Sequence, residues 1–257
     1  MSGDRSLAGQ IALVTGAGSG IGAATAARLA RSGADVAVNV HRDGSGAETV
    51  QAVEEHGVRA LEVTADVGDE QDVARLFRTV EEQLGPISIC ISNAGAQEES
   101  PFLDIELDSW RRQLSVNLDG PFLVGRAAAR SMVGRGGGTI INVTSVHEHT
   151  TFPGYAAYCT AKAGAGMLTR AMARELAKEG IRVLAVAPGA VASGDNEDAD
   201  EDPEQLRRTL AGIPAGRLAR PEEVADLIAY LASPAAAYVT GTTVVIDGGL
   251  QQEVSTS

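Results

Sequence analysis

The sequence predicts an α/β protein: a single domain built on a doubly wound parallel sheet with helices on both faces. Three observations lead there. Short β-rich apolar runs alternate with amphipathic stretches of helical length, a glycine-rich turn joins the first run to the first such stretch, and no linker-like segment divides the 257 residues. The runs are "IALVTG" at 11, "DVAVNV" at 35, "ALEVTAD" at 60, "ISICIS" at 87, "TIINVTS" at 139, "RVLAVAPG" at 182 and "TTVVIDGG" at 242. Near-continuous apolar runs mark strands covered on both faces, and right-handed crossovers distribute the helices between those faces.

The first run passes directly into "TGAGSGIG", Thr15 to Gly22, and then into the helical "AATAARLARSG". Glycines at 16, 18, 20 and 22 let the backbone turn tightly and approach a pyrophosphate at a helix N-terminus, with Thr15, Ser19 and Ile21 between them. A strand before and a helix after are the context that such a turn needs to bind a dinucleotide. The second run ends "VNVHRD", so Val40 stands where a ribose-binding acid is usual, followed by His41 and Arg42. With no carboxylate to repel a 2′-phosphate and Arg42 able to pair with one, NADP(H) is favoured over NAD(H). The alternative is that Arg42 merely points to solvent.

The fifth run ends at Ser145, on the carboxyl edge of the sheet where doubly wound folds bind ligands. Thirteen residues later comes Tyr158 in "YAAYCTAKAG", and Lys162 follows it by four, on the same face of a helix. A free phenol titrates near pH 10, so one that acts as a base near neutrality needs a positive charge beside it, which Lys162 provides. Tyr155 lies about two helical turns from Lys162, too far for direct coupling, and is left as a neighbour of the pocket.

Composition sets the outer bounds. With 44% hydrophobic and 21% charged residues the chain can bury a full core. No run of about 18 apolar residues and no basic-then-apolar leader is present, which predicts a soluble, cytoplasmic protein that does not bind membranes. A net charge of −13 argues against general attraction to nucleic acid. "GDNEDADEDPE" at 194 supplies seven of those charges and reads as a solvated loop, with Asp202, Pro203 and Gln205 opening the next helix. Cys90 and Cys159 lack metal-like spacing and read as reduced structural thiols, and no metal site is expected.

Taken together, "TGAGSGIG", "SNAG" at 92, Asn117 in "SVNLDG", Ser145, "YCTAK" and "APG" at 187 resemble the short-chain dehydrogenase/reductase family, over about residues 7 to 250. The resemblance implies a Rossmann-type fold that binds NAD(H) or NADP(H) and moves a hydride between nicotinamide and a secondary alcohol or ketone. It makes Tyr158 the proton donor or acceptor, and Lys162 the residue that binds the nicotinamide ribose and lowers the tyrosine pKa. It gives Ser145 the substrate oxygen and Asn117 a relay water. Cofactor contacts are implied at Asp66 and Val67, at the Asn93, Ala94 and Gly95 backbone, and at Pro188, Gly189, Val191 and Ser193. Residues 190–214 correspond to a substrate lid, which is acidic here, and the family pattern implies a homotetramer built partly from the helices after 108 and 154.

Some positions carry two readings. Asp66 could cap the next helix, Asn117 could bond the backbone of a kinked helix, and Ser193 could be a plain loop residue. Ser92 replaces an asparagine usual in the family, which puts a sheet-bracing contact in question. "INVTSVHE", "DPEQ" and "YVTG...DGG" look most like the glucose 1-dehydrogenase branch, with His147 and Glu148 near a sugar substrate or in a solvated turn. The rival within the family is a 3-oxoacyl-[acyl-carrier-protein] reductase, to which Arg130 and Arg174 would offer basic contacts unless they are ordinary helix-surface residues. A cofactor-sensing binding protein is the rival of another class, and a full Asn117, Ser145, Tyr158 and Lys162 set speaks against it.

Overall fold

Successive apolar residues in each predicted run point to opposite faces, so both faces of the sheet have to be covered by helices. The computed structural model describes residues 5–192 and 203–252. Seven parallel strands form one sheet: β1 Ile11–Val14, β2 Asp35–Val40, β3 Ala60–Thr64, β4 Ile89–Ser92, β5 Gly138–Val143, β6 Ile181–Pro188 and β7 Thr243–Ile246. Their order is β3-β2-β1-β4-β5-β6-β7, so each predicted run supplies a strand and the winding reverses between β1 and β4. That reversal leaves a crevice at the carboxyl ends of the two strands.

The helices are α1 Gly20–Arg31, α2 Ala47–Glu54, α3 Glu70–Gln83, α4 Leu107–Leu114, α5 Gly120–Met132, α6 Ala156–Leu176, α7 Pro203–Ala211 and α8 Pro221–Ala232. Ala12, Val14, Ile89 and Ile91 turn to one face and pack with Leu29 of α1, Val53 of α2 and Ile228 of α8. Leu13, Cys90, Ile140 and Val183 turn to the other, against Leu76 of α3, Val124 of α5 and Ala173 of α6. Cys90 and Cys159 are both free and buried. Among the described residues no helix is long and apolar enough to cross a membrane.

Two local features decide questions left open by the sequence. Asp69, not Asp66, caps α3, its carboxylate accepting from the backbone N–H groups of Gln71 at 2.9 Å and Asp72 at 2.8 Å. Between α4 and α5 the helix opens into a π turn over Ser115–Asp119, centred on Asn117. Ser193 and the acidic residues 194–202, Asp202 included, lie outside the described residues, as does the side chain of Gln205.

Candidate active site

The turn after β1 is shaped by what a side chain would strike. Gly16 has φ +61°, and a Cβ there would lie 2.7 Å from Ala94 Cα. A Cβ on Gly18 would lie 2.8 Å from the Ser45 carbonyl oxygen, and one on Gly22 would collide with the Gly16 carbonyl. Backbone packed this closely at the N-terminus of α1 forms a cradle that fits a pyrophosphate. The opposite wall is held by reciprocal bonds across β1 and β4. Thr15 Oγ1 accepts from Asn93 N at 2.9 Å and Ala94 N at 3.1 Å, and Asn93 Nδ2 donates to the Thr15 and Gly16 carbonyls at 3.0 and 3.1 Å. The β1–β4 edge is thus braced by Asn93 although Ser92 replaces the usual asparagine.

A cleft of about 560 Å³ opens over this turn, lined by Gly16, Ser19, Ile21 and Gly22, by His41, Asp66 and Val67, and by Asn93, Ala94 and Gly95. Thr15, Gly18, Gly20 and Arg42 do not line it. Thr15 is fully buried and acts as a brace, Gly18 packs under Ser45, and Arg42 lies in the exposed loop after β2. Asn39 also reaches the cleft, its amide donating to the Val63 and Ala65 carbonyls at 3.1 and 3.2 Å. A buried polar residue in an apolar strand was the signal for it in the sequence.

A second cavity of about 760 Å³ shares Ile21, Asn93, Gly95, Gln97 and Tyr158 with the first. Ser145, His147, Tyr158, Lys162, Pro188, Gly189 and Val191 all border it. Ser145 caps the short turn after β5, its Oγ accepting from His147 N at 3.2 Å and lying 2.9 Å from His147 Nδ1. The Lys162 ammonium, 3% exposed, donates to the Val143 carbonyl at 3.0 Å and lies 5.3 Å from the centroid of the Tyr158 ring.

Burial dominates the electrostatics here. It pushes the Tyr158 phenol up to about 12, against a hydrogen bond with Ser145 that acts downward. It pulls Lys162 down to about 8. Desolvation of the phenolate thus outweighs the Ser145 hydrogen bond. Asn117 is fully buried and lines neither cavity; its Nδ2 donates to the carbonyls of Ala96 at 2.6 Å and Gln113 at 2.9 Å. These bonds tie the side chain to the backbone at the π turn.

Four further residues have places that the sequence left open or did not suggest. Glu148 points away from the cavity, its side chain 2% exposed, and takes hydrogen bonds from Thr144 and Thr243, both at 2.9 Å, so it is neither a sugar ligand nor part of a solvated turn. From the lid region it is a cation, Arg208 on α7, that borders the cavity, paired with Glu204. Arg130 lines a groove between α5 and α6, and Arg174 is exposed on α6; neither borders the cavity. Phe152, Gln97 and Arg208 went unrecognised in the sequence because they lie outside its motifs and come to the cavity only through tertiary packing. Tyr155 also lines it and donates to Glu99 at 2.8 Å.

A Rossmann-type sheet, a glycine cradle at its winding reversal and a Ser145–Tyr158–Lys162 group against the same crevice define a nicotinamide-dependent oxidoreductase. A family model described as enoyl-(acyl carrier protein) reductase matches residues 16–251. The uncharacterized oxidoreductase YohF of Escherichia coli (strain K12) is 43% identical over 93% of this chain and 95% of its own length. Glucose 1-dehydrogenase 2 of Bacillus subtilis (strain 168) is 38% identical over 96% of each chain. The crystal structure of a gluconate 5-dehydrogenase from Burkholderia cenocepacia J2315, in complex with NADP and tartrate, superposes with a TM-score of 0.91 at 34% identity, covering 99% of this chain and 100% of that one. The chain belongs to the short-chain dehydrogenase/reductase family and is an oxidoreductase of that class.

Proposed function

We propose that the protein interconverts a secondary alcohol, such as a sugar or polyol hydroxyl, and its ketone or lactone, with Tyr158 moving the proton. The observation that carries this is the position of Tyr158 in the wall common to both cavities, beside Ser145 and Lys162. When bound, NAD(P) supplies the hydride acceptor or donor. Gly16 to Gly22 would hold its pyrophosphate, Asp66 and Val67 the adenine, Asn93 to Gly95 the adjoining ribose, and Tyr158 with Lys162 the nicotinamide ribose. Pro188, Gly189, Val191 and Ser193 would meet the nicotinamide end.

Ser145 donates a hydrogen bond to the substrate oxygen, and Tyr158 gives that oxygen a proton in reduction or takes it in oxidation. Asn117, through the π turn that it fixes, supports a water that returns the proton to solvent by way of Lys162. At neutral pH both Tyr158 and Lys162 carry their protons, which is the state that reduction requires.

NADP(H) is favoured over NAD(H): β2 ends without an acid, the basic Arg42 follows in the loop after it, and the similar gluconate 5-dehydrogenase was crystallised with NADP. Residues 190–214 act as the lid, with α7 bringing Arg208 and Thr209 to the cavity. A homotetramer is supported by the apolar groove between α5 and α6, lined by Phe122, Leu168, Met172 and Leu176. A cytoplasmic location rests on composition.

Tyr158→Phe tests the assignment. Turnover should be abolished while NADPH binding, followed by fluorescence, stays nearly intact; wild-type activity in the variant would refute it.

A further inference from the structure

Glu148 is a buried carboxylate to which the chemistry described above gives no task. It closes the short turn that follows Ser145, and its side chain is 2% exposed. Oε2 accepts from the Thr144 hydroxyl and Oε1 from the Thr243 hydroxyl, both at 2.9 Å. Thr144 and Glu148 stand on either side of Ser145 in the chain, so the first bond fastens the turn that carries the Ser145 hydroxyl. The second ties that turn to β7. Burying a carboxylate is costly, and Arg170 Nη1, 3.4 Å from Oε1, offsets part of the cost.

The facing helix makes room for this side chain. Gly166 lies in the interior of α6, where glycine is a poor helix former. A Cβ on it would collide with the Glu148 carboxyl group and stand 2.8 Å from Cγ. The missing side chain is thus a socket for Glu148, in the same helix that carries Tyr158 and Lys162, with Arg170 one turn further along. Glu148 borders neither cavity, whereas Thr144, Ser145 and Tyr158 all border the second.

We propose that Glu148, seated against Gly166, is a positioning residue for the reaction: it sets the place of the Ser145 hydroxyl relative to the Tyr158 phenol. The inference rests on Ser145 and Tyr158 as the proton-transfer groups proposed above. Hydrogen bonds to the two threonines carry the placement, and the charge is not required for it. Glu148→Gln keeps an oxygen for Thr243 and offers an N–H to Thr144, whose hydroxyl can turn to the Val186 carbonyl, 3.2 Å away. Misplacing reacting groups by about 1 Å costs up to about 100-fold in rate, while the cofactor cleft, which Glu148 does not line, keeps its affinity.

The test uses Glu148→Ala, Glu148→Gln, Gly166→Ala and the double variant with alanine at both positions. Oxidation of glucose and of 2-butanol with NADP⁺ gives kcat and KM, and NADPH titration checks that each variant is folded. In Glu148→Ala and Gly166→Ala kcat should fall at least about tenfold, with KM for NADP⁺ within about twofold of wild type. Glu148→Gln should stay within about threefold in both. The double variant should be no slower than Glu148→Ala, because both changes unseat the same carboxylate. Thr243→Val, which removes one bond and leaves the socket filled, is the milder probe should Glu148→Ala not fold, and it should lower kcat by about threefold to tenfold.

The Ser145–Tyr158 hydrogen bond can also be read without substrate. In protein labelled with ¹³C at tyrosine Cζ, the Tyr158 resonance, assigned with Tyr158→Phe, should move in Glu148→Ala, Gly166→Ala, Thr243→Val and Ser145→Ala, and hold its place in Glu148→Gln. If neither alcohol is oxidised, this resonance alone decides. A wild-type kcat with an unmoved resonance in Glu148→Ala or Thr243→Val, a Gln variant as slow as the Ala variant, or losses that multiply in the double variant each overturn the proposal. Wild-type turnover in Ser145→Ala overturns instead the proton-transfer reading beneath it.

Discussion

The Lys162 ammonium faces the ring of Tyr158 at 5.3 Å from its centroid while donating to the carbonyl oxygen of Val143. Burial keeps the phenolic proton in place, with the pKa up to about 12. Reduction needs the protonated phenol and oxidation needs the phenolate. Oxidation should accelerate as pH rises from 7 to 10, approaching tenfold per unit where chemistry limits the rate, while reduction should hold steady and then decline. Initial rates in both directions across that range check this, and a flat oxidation limb would argue against Tyr158 as the base.

Burial of Lys162 should appear in stability. Its folded pKa, down to about 8, lies below the ordinary 10.5, so between those values the native state binds fewer protons than the unfolded chain. Raising pH through the window removes a penalty on the folded state. Between pH 8 and 10, wild type should gain about 1–3 kcal/mol relative to Lys162→Met, read from urea unfolding at each pH. Tyr158 opposes this only above pH 10, because its folded pKa is raised rather than lowered.

Thr15→Val should weaken the seam between β1 and β4. The hydroxyl accepts from Asn93 N and Ala94 N, and valine would leave both N–H groups without that partner at a buried site. A loss of about 1–3 kcal/mol in urea unfolding is expected, with weaker NADPH binding because Ala94 lines the cofactor cleft.

Asp69→Ala should cost about 1 kcal/mol by releasing two backbone N–H groups at the start of α3. The residue lines neither cavity, so kcat and KM should stay at wild-type values. Asp66→Ala should instead weaken NADPH binding.

The strands could be read from the sequence because each is a short apolar run between turn signals, and the glycine turn, Ser145, Tyr158 and Lys162 because local spacing places them. Asn117 was readable as a residue of interest but not as the centre of a π turn, which depends on its bonds to Ala96 and Gln113. Glu148 follows Ser145 so closely that a position in the pocket was a fair expectation. Its burial depends on Thr243, ninety-five residues away, which no local pattern reveals. Arg208 was hidden for a similar reason: the acids nearby dominate the composition of the segment, while helical phase decides which side chain turns inward.

Glu148 has a consequence beyond its own burial. It bonds to β7, and Gln251 donates to the carbonyl of Val146 at 3.0 Å while Leu250 borders the substrate cavity. The last described stretch of chain thus underpins the Ser145 turn, yet Leu250 and Gln251 do not line the cofactor cleft. A change at Leu250 or Gln251 would therefore reach the Ser145 turn and the wall of the second cavity without touching the cleft over the glycine turn.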